Sequence, residues 1–557
     1  MNLALPPAVK KPAFMAGAVV FCSSLLVQAV LLADYCLHSP FYSGLICDSK
    51  VYYKWASAII AGDWFGGEVF HQAPLYPYFI ALLWLAAGKG YFVIYAAQAL
   101  LLACSCLLAF LVGKRYFNTG TGLAAGLLCA FYGTVNFYAL KILPDIAGVF
   151  LHLCLAWLLL RAGRERQWAA AGFVWGLLVI ARPHALLLAP MLLAWAAFLR
   201  AEGPVAFPKV MTGLRRFAIF ILPAAALVGL VALRNFAIEP DLVIISCNGG
   251  ENFYMGNNPK AEGIYCRMEG ISPDIEHQKE DVKAAAESAA GRKLNRARVS
   301  TYWRDRGFEF IRGNFPAYLR LEMLKLKRIF SGIEYTNMYF TWFEKPLFTR
   351  TLSIPAAGFY LVLPMAAIGA ILLAGRWRQL ALLHIMILLG IVNMLVFYVD
   401  ERYRLSMIPF MIILGAGGMF RLYEILRSPA TPRVRKLAAL AVAAGALAAT
   451  YHMARTEPAR LEVEPQLYYN LGEVYFEKGE YRRALETFYH SSRLAANNWE
   501  SAVGVSKTLF AMGRPDVAAG LYRQAFPCLD RELQESFLRD RDLDGLRAYI
   551  ASQDKQN

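Results

Sequence analysis

The chain has 557 residues, of which 58% are hydrophobic and 18% charged, where a soluble globular chain carries about 45–50% apolar and about 25% charged residues. The excess is clustered: stretches such as 150–160 and 365–374 hold no Asp, Glu, Lys or Arg, which excludes a soluble fold for much of the chain and makes lipid its solvent. The formal net charge of +16 reads as basic residues in cytoplasmic loops rather than as a nucleic-acid surface.

At the N-terminus, Lys10 and Lys11 precede an apolar stretch, 14–32, that is long enough to span. No small-residue cleavage site follows it, so it reads as an uncleaved first helix. Further spans are expected over 91–112, 121–140, 144–161, 168–182, 184–200, 216–234, 352–374, 379–398, 404–420 and 437–452. A twelfth apolar piece, 74–88, has only 15 residues. A crossing needs about 20, so this piece reads as lying in the interface. Loop charge then sets the orientation. With 74–88 outside the count, one side holds sixteen basic residues, from Lys114 and Arg115 through Arg433, Arg435 and Lys436. The opposite short loops hold five: Lys89, Lys141, Arg182, Arg402 and Arg404. The positive-inside rule therefore predicts eleven spans, the N-terminus inside and the C-terminus outside. Three extracytoplasmic parts follow: loop 34–90, loop 235–351, and a tail beginning at 453. The predicted fold class is an all-α polytopic membrane protein with a transmembrane domain, 1–452, and a C-terminal helical domain, 453–557.

The first chemically notable segment is Cys47-Asp48-Ser49-Lys50-Val51-Tyr52-Tyr53, just beyond the first span. A carboxylate held at the interface can act as a general base toward an acceptor hydroxyl or amine, or bind a metal. Downstream, Phe70-His71-Gln72-Ala73-Pro74-Leu75-Tyr76-Pro77 uses two prolines to fix the backbone where the chain returns to the membrane. Next, Lys141-Ile142-Leu143-Pro144-Asp145 places an acid at a helix start on the same membrane face. A proline followed by an acid also suits an ordinary helix start. The turn Ala181-Arg182-Pro183-His184 adds to the basic surface there.

The run Asn248-Gly249-Gly250-Glu251-Asn252-Phe253-Tyr254-Met255-Gly256-Asn257-Asn258-Pro259, followed by Tyr265, combines turn-permitting glycines, amides that both donate and accept, and flat aromatic faces. These are groups suited to a sugar, and they are also common in turns. Last in the membrane part comes Asp400-Glu401-Arg402-Tyr403-Arg404, four charges in five residues at the mouth of two apolar helices. Such charge is costly there without partners. Arg402 and Arg404 could grip a phosphate through forked hydrogen bonds.

Ten cysteines contain no C-x-x-C pair, so a zinc site is not indicated. Those in apolar stretches read as packing residues. Outside the cytoplasm, the pairings Cys36–Cys47 and Cys247–Cys266 stand beside four free thiols as alternatives. In the tail, Leu471, Gly472, Tyr475, Gly479, Ala484 and Phe488 match the tetratricopeptide pattern. Gly513, Ala518 and Tyr522 repeat its second half at an offset of 34 residues. So few repeats are expected to pack on the membrane domain or to bind a protein partner.

Taken together, these segments resemble the GT-C superfamily of polyprenyl-phosphate-sugar glycosyltransferases, in particular the branch like protein mannosyltransferases and aminoarabinose transferases, over roughly 10–420. The marks are Asp48 with Tyr52, the Pro74–Pro77 return, Asp145 at a span start, the 248–259 run and Arg402-Tyr403-Arg404. The resemblance implies a GT-C fold and transfer of a sugar from a lipid-linked donor to a protein, lipid or polysaccharide acceptor. It implies catalytic roles for Asp48 and Asp145, with Asp145 placing the acceptor or a metal. It implies donor-phosphate contacts from Arg402 and Arg404, joined by Lys141 and Arg182. The sugar and acceptor are expected at Tyr52, His71, Asn248, Glu251, Asn252, Tyr254, Asn257 and Tyr265. The need for a divalent metal on Asp48 and Asp145 stays open. Many relatives carry two adjacent acids in the first loop, whereas Asp48 is followed by Ser49. Two other classes compete: a transporter or flippase of lipid-linked sugars, and a scaffold working through its repeats.

Overall fold

The structure is a computed structural model that describes residues 11–200, 207–265, 268, 271, 275–336, 338–455, 463–495, 498–529, 534 and 537–555. These residues are built almost wholly of helices, as lipid demands of a backbone that must satisfy its own hydrogen bonds. Among the described residues there are only two isolated β-bridges, Tyr132 with Ala357 and Ile264 with Val399. In chain order the first helices are α1 (Lys11–His38), α2 (Cys47–Ile60), α3 (Leu75–Ala87), α4 (Tyr91–Tyr116), α5 (Thr119–Ala130), α6 (Gly133–Tyr138), α7 (Asp145–Arg161), α8 (Glu165–Ala181), α9 (Leu188–Ala194) and α10 (Phe207–Ile238). The long loop carries α11 (Gly249–Gly256), α12 (Ile275–Ala290), α13 (Arg296–Gly313), α14 (Phe315–Ile329) and α15 (Thr341–Leu347). Then come α16 (Phe359–Leu372), α17 (Ala381–Val396), α18 (Glu401–Arg404), α19 (Ile408–Arg427) and α20 (Arg433–Arg455). The tail holds α21 (Glu464–Glu477), α22 (Tyr481–Leu494), α23 (Trp499–Ala511), α24 (Pro515–Ala525) and α25 (Asp544–Asp554).

Five helices are long and apolar enough to cross a membrane: α1, α4, α10, α19 and α20. Shorter apolar helices lie in the expected spans 121–140, 184–200, 352–374 and 379–398, and the 17-residue helices α7 and α8 lie in 144–161 and 168–182. The 121–140 stretch is broken in two, because the backbone at Phe131–Gly133 turns aside to exchange hydrogen bonds with Ala357 (2.7 and 3.1 Å). The 184–200 stretch is a short 3-10 turn, α9 and a π turn. The 74–88 piece is the 13-residue α3. Small residues let the helices approach closely, as membrane packing favours. A Cβ on Gly172 of α8 would fall 1.8 Å from the Phe220 carbonyl oxygen of α10, so only glycine fits there.

One large apolar core joins the membrane helices to α15 and α21, whose Leu467, Leu471 and Val474 are buried in it. The remaining tail helices build a second cluster around Ala484, Phe488, Val503, Ala518 and Leu546. Gly479 and Gly513, 34 positions apart, both take positive φ (74° and 77°) at the ends of α21 and α23, a conformation open to glycine. The tail meets two segments that lie between the apolar helices. Lys50 of α2 pairs with Glu477 at 2.8 Å, Lys478 donates to the Pro40 carbonyl at 2.6 Å, and Arg539 pairs with Asp281 at 2.6 Å. Cys36 is a free cysteine on α1, so the Cys36–Cys47 bridge is not formed. Cys266, and with it the second expected bridge, lies outside the described residues.

Candidate functional site

Cys47 opens α2 with φ +48°, a strained conformation for a residue with a side chain. The strain is held by Tyr339, whose hydroxyl donates to the Ile46 carbonyl (2.9 Å) and accepts from Ser49 Oγ (2.7 Å). This sharp entry sets Asp48 in the first turn of α2, at the positive end of the helix dipole. Gln72, from the stretch before α3, donates to Asp48 Oδ1 at 2.9 Å. Asp145 occupies the first position of α7 after Pro144 and is buried. Arg182, at the end of α8, pairs with its Oδ1.

Arg402 joins the two acids. Its Nη1 lies 3.2 Å from Asp48 Oδ2 and its Nε 3.4 Å from Asp145 Oδ2. It reaches this place because Asp400 caps the short α18, accepting the Arg402 backbone N–H at 2.8 Å. The long loop fixes that turn in turn: the Val399 N–H donates to the Gly263 carbonyl at 2.9 Å and the Glu401 N–H to the Tyr335 carbonyl at 2.6 Å. Burial opposes the charge on Arg402, and Asp145, Asp48 and Asp400 outweigh it, so the guanidinium stays charged. Burial pushes the Asp400 carboxyl up to about 6 against the pull of Arg402. Three segments distant in sequence thus meet in one charged cluster, with Asp48 and Asp145 each paired to an arginine.

Other expected site residues lie elsewhere. Arg404 turns away from the acids. Its guanidinium donates to the Ile333 and Arg328 carbonyls and lies over the Phe359 ring, 4.4 Å from the centroid. It ties the loop to α14 and α16, so it is not placed to hold a phosphate. Lys141 is likewise spent: its ammonium donates to both Glu344 oxygens (2.7 and 2.6 Å) and to Tyr35 Oη (3.1 Å), among four aromatic rings. A buried lysine needs such a partner, and nothing near it in the sequence announces Glu344. The 248–259 run forms helix α11 rather than an open turn. A Cβ on Gly250 or Gly256 would fall 1.8 Å from the carbonyl oxygen of Ser300 or Phe397, so these glycines serve close packing. Asn257 is buried and used internally, donating to Phe253 and Val396 carbonyls and accepting from Lys325. Tyr254 packs on Trp303 at 4.9 Å. Asn252 lies within α11, and Asn248 accepts from Ser246 Oγ at 3.1 Å.

Nearer the acids, Tyr52 stands one turn after Asp48, edge-on to Tyr76 at 5.3 Å. Tyr265 begins an aromatic path through Tyr398 and Tyr403 to His184, with centroids 5.7, 5.4 and 6.4 Å apart. His71 Nε2 lies 3.0 Å from Glu251 Oε1, and its Nδ1 3.8 Å from Cys247 Sγ. Burial disfavours its protonation, but the Glu251 carboxylate prevails and raises His71 to about 10. A histidine raised from 6.5 to about 10 stabilises the fold fully below 6.5, and that contribution fades as pH rises toward 10. His71→Asn is therefore expected to lower the melting midpoint most at acidic pH, with the deficit shrinking to nothing at about pH 10. Melting curves across that range check the sign; a deficit that grows with pH refutes it.

Gln72 lies in the return segment 70–77, where a lone amide carries no local mark of its role. For His152 the signal is its spacing: Asp145, Gly148 and His152 fall on one face of α7. For a metal the cluster offers little: the guanidinium already fills the space between Asp48 and Asp145. Among the described residues no three His, Cys, Asp or Glu side chains converge.

Comparison with known proteins gives one family match. Residues 71–228 match the family model for dolichyl-phosphate-mannose-protein mannosyltransferase, a segment holding Gln72, Asp145 and Arg182. Over that segment the resemblance read from the sequence is borne out. No curated protein matches. Among solved structures, the Archaeoglobus fulgidus oligosaccharyltransferase in the apo form is 14% identical, with 81% of this chain and 57% of that chain covered and a TM-score of 0.44. Archaeal oligosaccharyltransferase AglB from the same organism, with an inhibitory peptide and a dolichol-phosphate, is 13% identical (84% and 59% covered, TM-score 0.40). ArnT from Cupriavidus metallidurans bound to undecaprenyl phosphate is 12% identical (92% and 80% covered, TM-score 0.38). The chain thus spans little more than half the length of the oligosaccharyltransferase structures.

Proposed function

We propose that this chain is an integral-membrane glycosyltransferase of the GT-C type. It moves a sugar from a polyprenyl-phosphate carrier to a protein, lipid or polysaccharide acceptor. The observation that carries this reading is Arg402 held between Asp48 and Asp145, a base and a cation side by side at one rim of the bundle. The family match over 71–228 supports it. Asp48 takes the proton of the acceptor hydroxyl or amine. The acceptor atom bonds to the anomeric carbon, the bond from that carbon to the phosphate oxygen breaks, and the electron pair leaves with polyprenyl phosphate. Attack opposite the leaving group inverts the anomeric centre. Arg402 and Arg182 stabilise the charge that develops on the departing phosphate. Each has a guanidinium nitrogen beyond those engaged by Asp48 and Asp145, so the phosphate can be met without breaking the cluster. Asp145 holds both guanidinia in place.

The same reading assigns 1–452 to the transferase and 453–557 to a tetratricopeptide-like tail able to bind a protein partner. It places the site on the outer face of a bacterial inner membrane, with the N-terminus in the cytoplasm. The cation role belongs to Arg402 rather than to a divalent metal. Full-length protein in nanodiscs, given radiolabelled polyprenyl-phosphate sugar and a periplasmic extract, is expected to make a labelled covalent product at the same rate with and without EDTA. In sealed proteoliposomes, label that crosses the bilayer without covalent transfer would mark a flippase. Loss of transfer in EDTA would return the cation role to a metal.

A further inference from the structure

Behind the charged cluster, a narrow cavity runs inward along α7. It is lined by Asp145, Gly148, His152, Arg182, His184 and Ser406, among others. It leaves room for a group about the size of one water or hydroxyl. Arg182 and Arg402 line it beside Asp145 at the start of α7, His152 lies two turns further along that helix, and His152 Nε2 and His184 Nε2 are buried with no hydrogen-bond partner among the described residues. His152 itself is 1% exposed. Its Nδ1 lies 2.8 Å from the Gly148 carbonyl oxygen. A carbonyl only accepts, so Nδ1 carries the proton and Nε2 presents a lone pair. An unpaired acceptor buried this deeply is costly, and such groups are retained where something fills them.

The chemistry of the filler follows. An ionised phosphate oxygen is itself an acceptor and is refused by a lone pair. A hydroxyl donates to it. The cavity therefore sorts a ligand by its ends, with the anion toward Arg182 and Arg402 and an O–H toward His152. We propose that His152, with His184 beside it, forms a hydroxyl-recognising subsite for the sugar that the carrier brings, which makes His152 a specificity-determining residue. This rests on the transferase reading above.

The test is binding, measured on full-length protein in nanodiscs with three probes: undecaprenyl phosphate, and its mannosyl and glucosyl forms. His152→Leu is expected to weaken the sugar-bearing forms about tenfold while leaving the sugarless carrier unchanged. His152→Gln, which returns an acceptor oxygen, should recover most of that loss. An equal loss for all three probes would assign the cavity to the phosphate or to packing. No loss for any would mean that it holds only a water. Either result overturns the proposal. Should wild type bind the probes in the expected pattern but transfer no label, the transferase reading fails and the subsite stands.

Discussion

Arg402→Leu is expected to cost about 3–5 kcal/mol of stability and to abolish transfer. Removing one member of a buried charge network leaves the others uncompensated, and that is the size of the usual penalty. Here the loss leaves Asp48 with Gln72 as its hydrogen-bond partner among the described residues, and it removes the stronger cationic pull on Asp400, already pushed up to about 6 by burial. Asp145 keeps Arg182. Arg402→Lys separates charge from geometry. A single ammonium cannot fork between carboxylates on α2 and α7, so this variant should regain part of the stability and little of the activity. Melting midpoints of the purified variants decide the matter. A leucine variant as stable as wild type would show that the acids do not depend on the arginine.

Asp48→Asn is expected to lower the turnover number by about 100- to 10,000-fold, the range a positioned general base supplies. Donor affinity should change little. In this scheme Asp48 faces the acceptor, and the donor phosphate is met by Arg402 and Arg182, both of which Asp145 still holds. Asparagine keeps the shape and can still accept from Gln72, so the fold should be intact, unlike that of Arg402→Leu. Turnover at the wild-type level would remove Asp48 from the chemistry. A large rise in donor dissociation constant with turnover preserved would recast it as a binding group.

The lipid-solvated character of the chain was legible in the sequence because hydropathy is a local property. Most apolar stretches reappear as helices, although several limits move by two turns or more and 121–140 and 184–200 are broken into shorter pieces, and 74–88 is the short α3. Asp48, Asp145 and Arg402 could be chosen because a charge at the edge of an apolar stretch is expensive and visible. Their neighbours Arg404 and Lys141 looked the same by that criterion. Only the fold separates them: Arg404 is consumed by two backbone carbonyls and an aromatic ring, and Lys141 by Glu344, 203 positions away. The glycines of 248–259 were likewise open to two uses, and contact with Ser300 and Phe397 decided for packing.

By itself, then, the sequence determined which segments must leave water and which charges sit at their ends, since both follow from composition over one or two turns of chain. Which of those charges are free for chemistry was decided by tertiary structure alone. A buried ion is satisfied by whichever partner the fold brings within about 3–4 Å, and that partner's place in the chain carries no local mark.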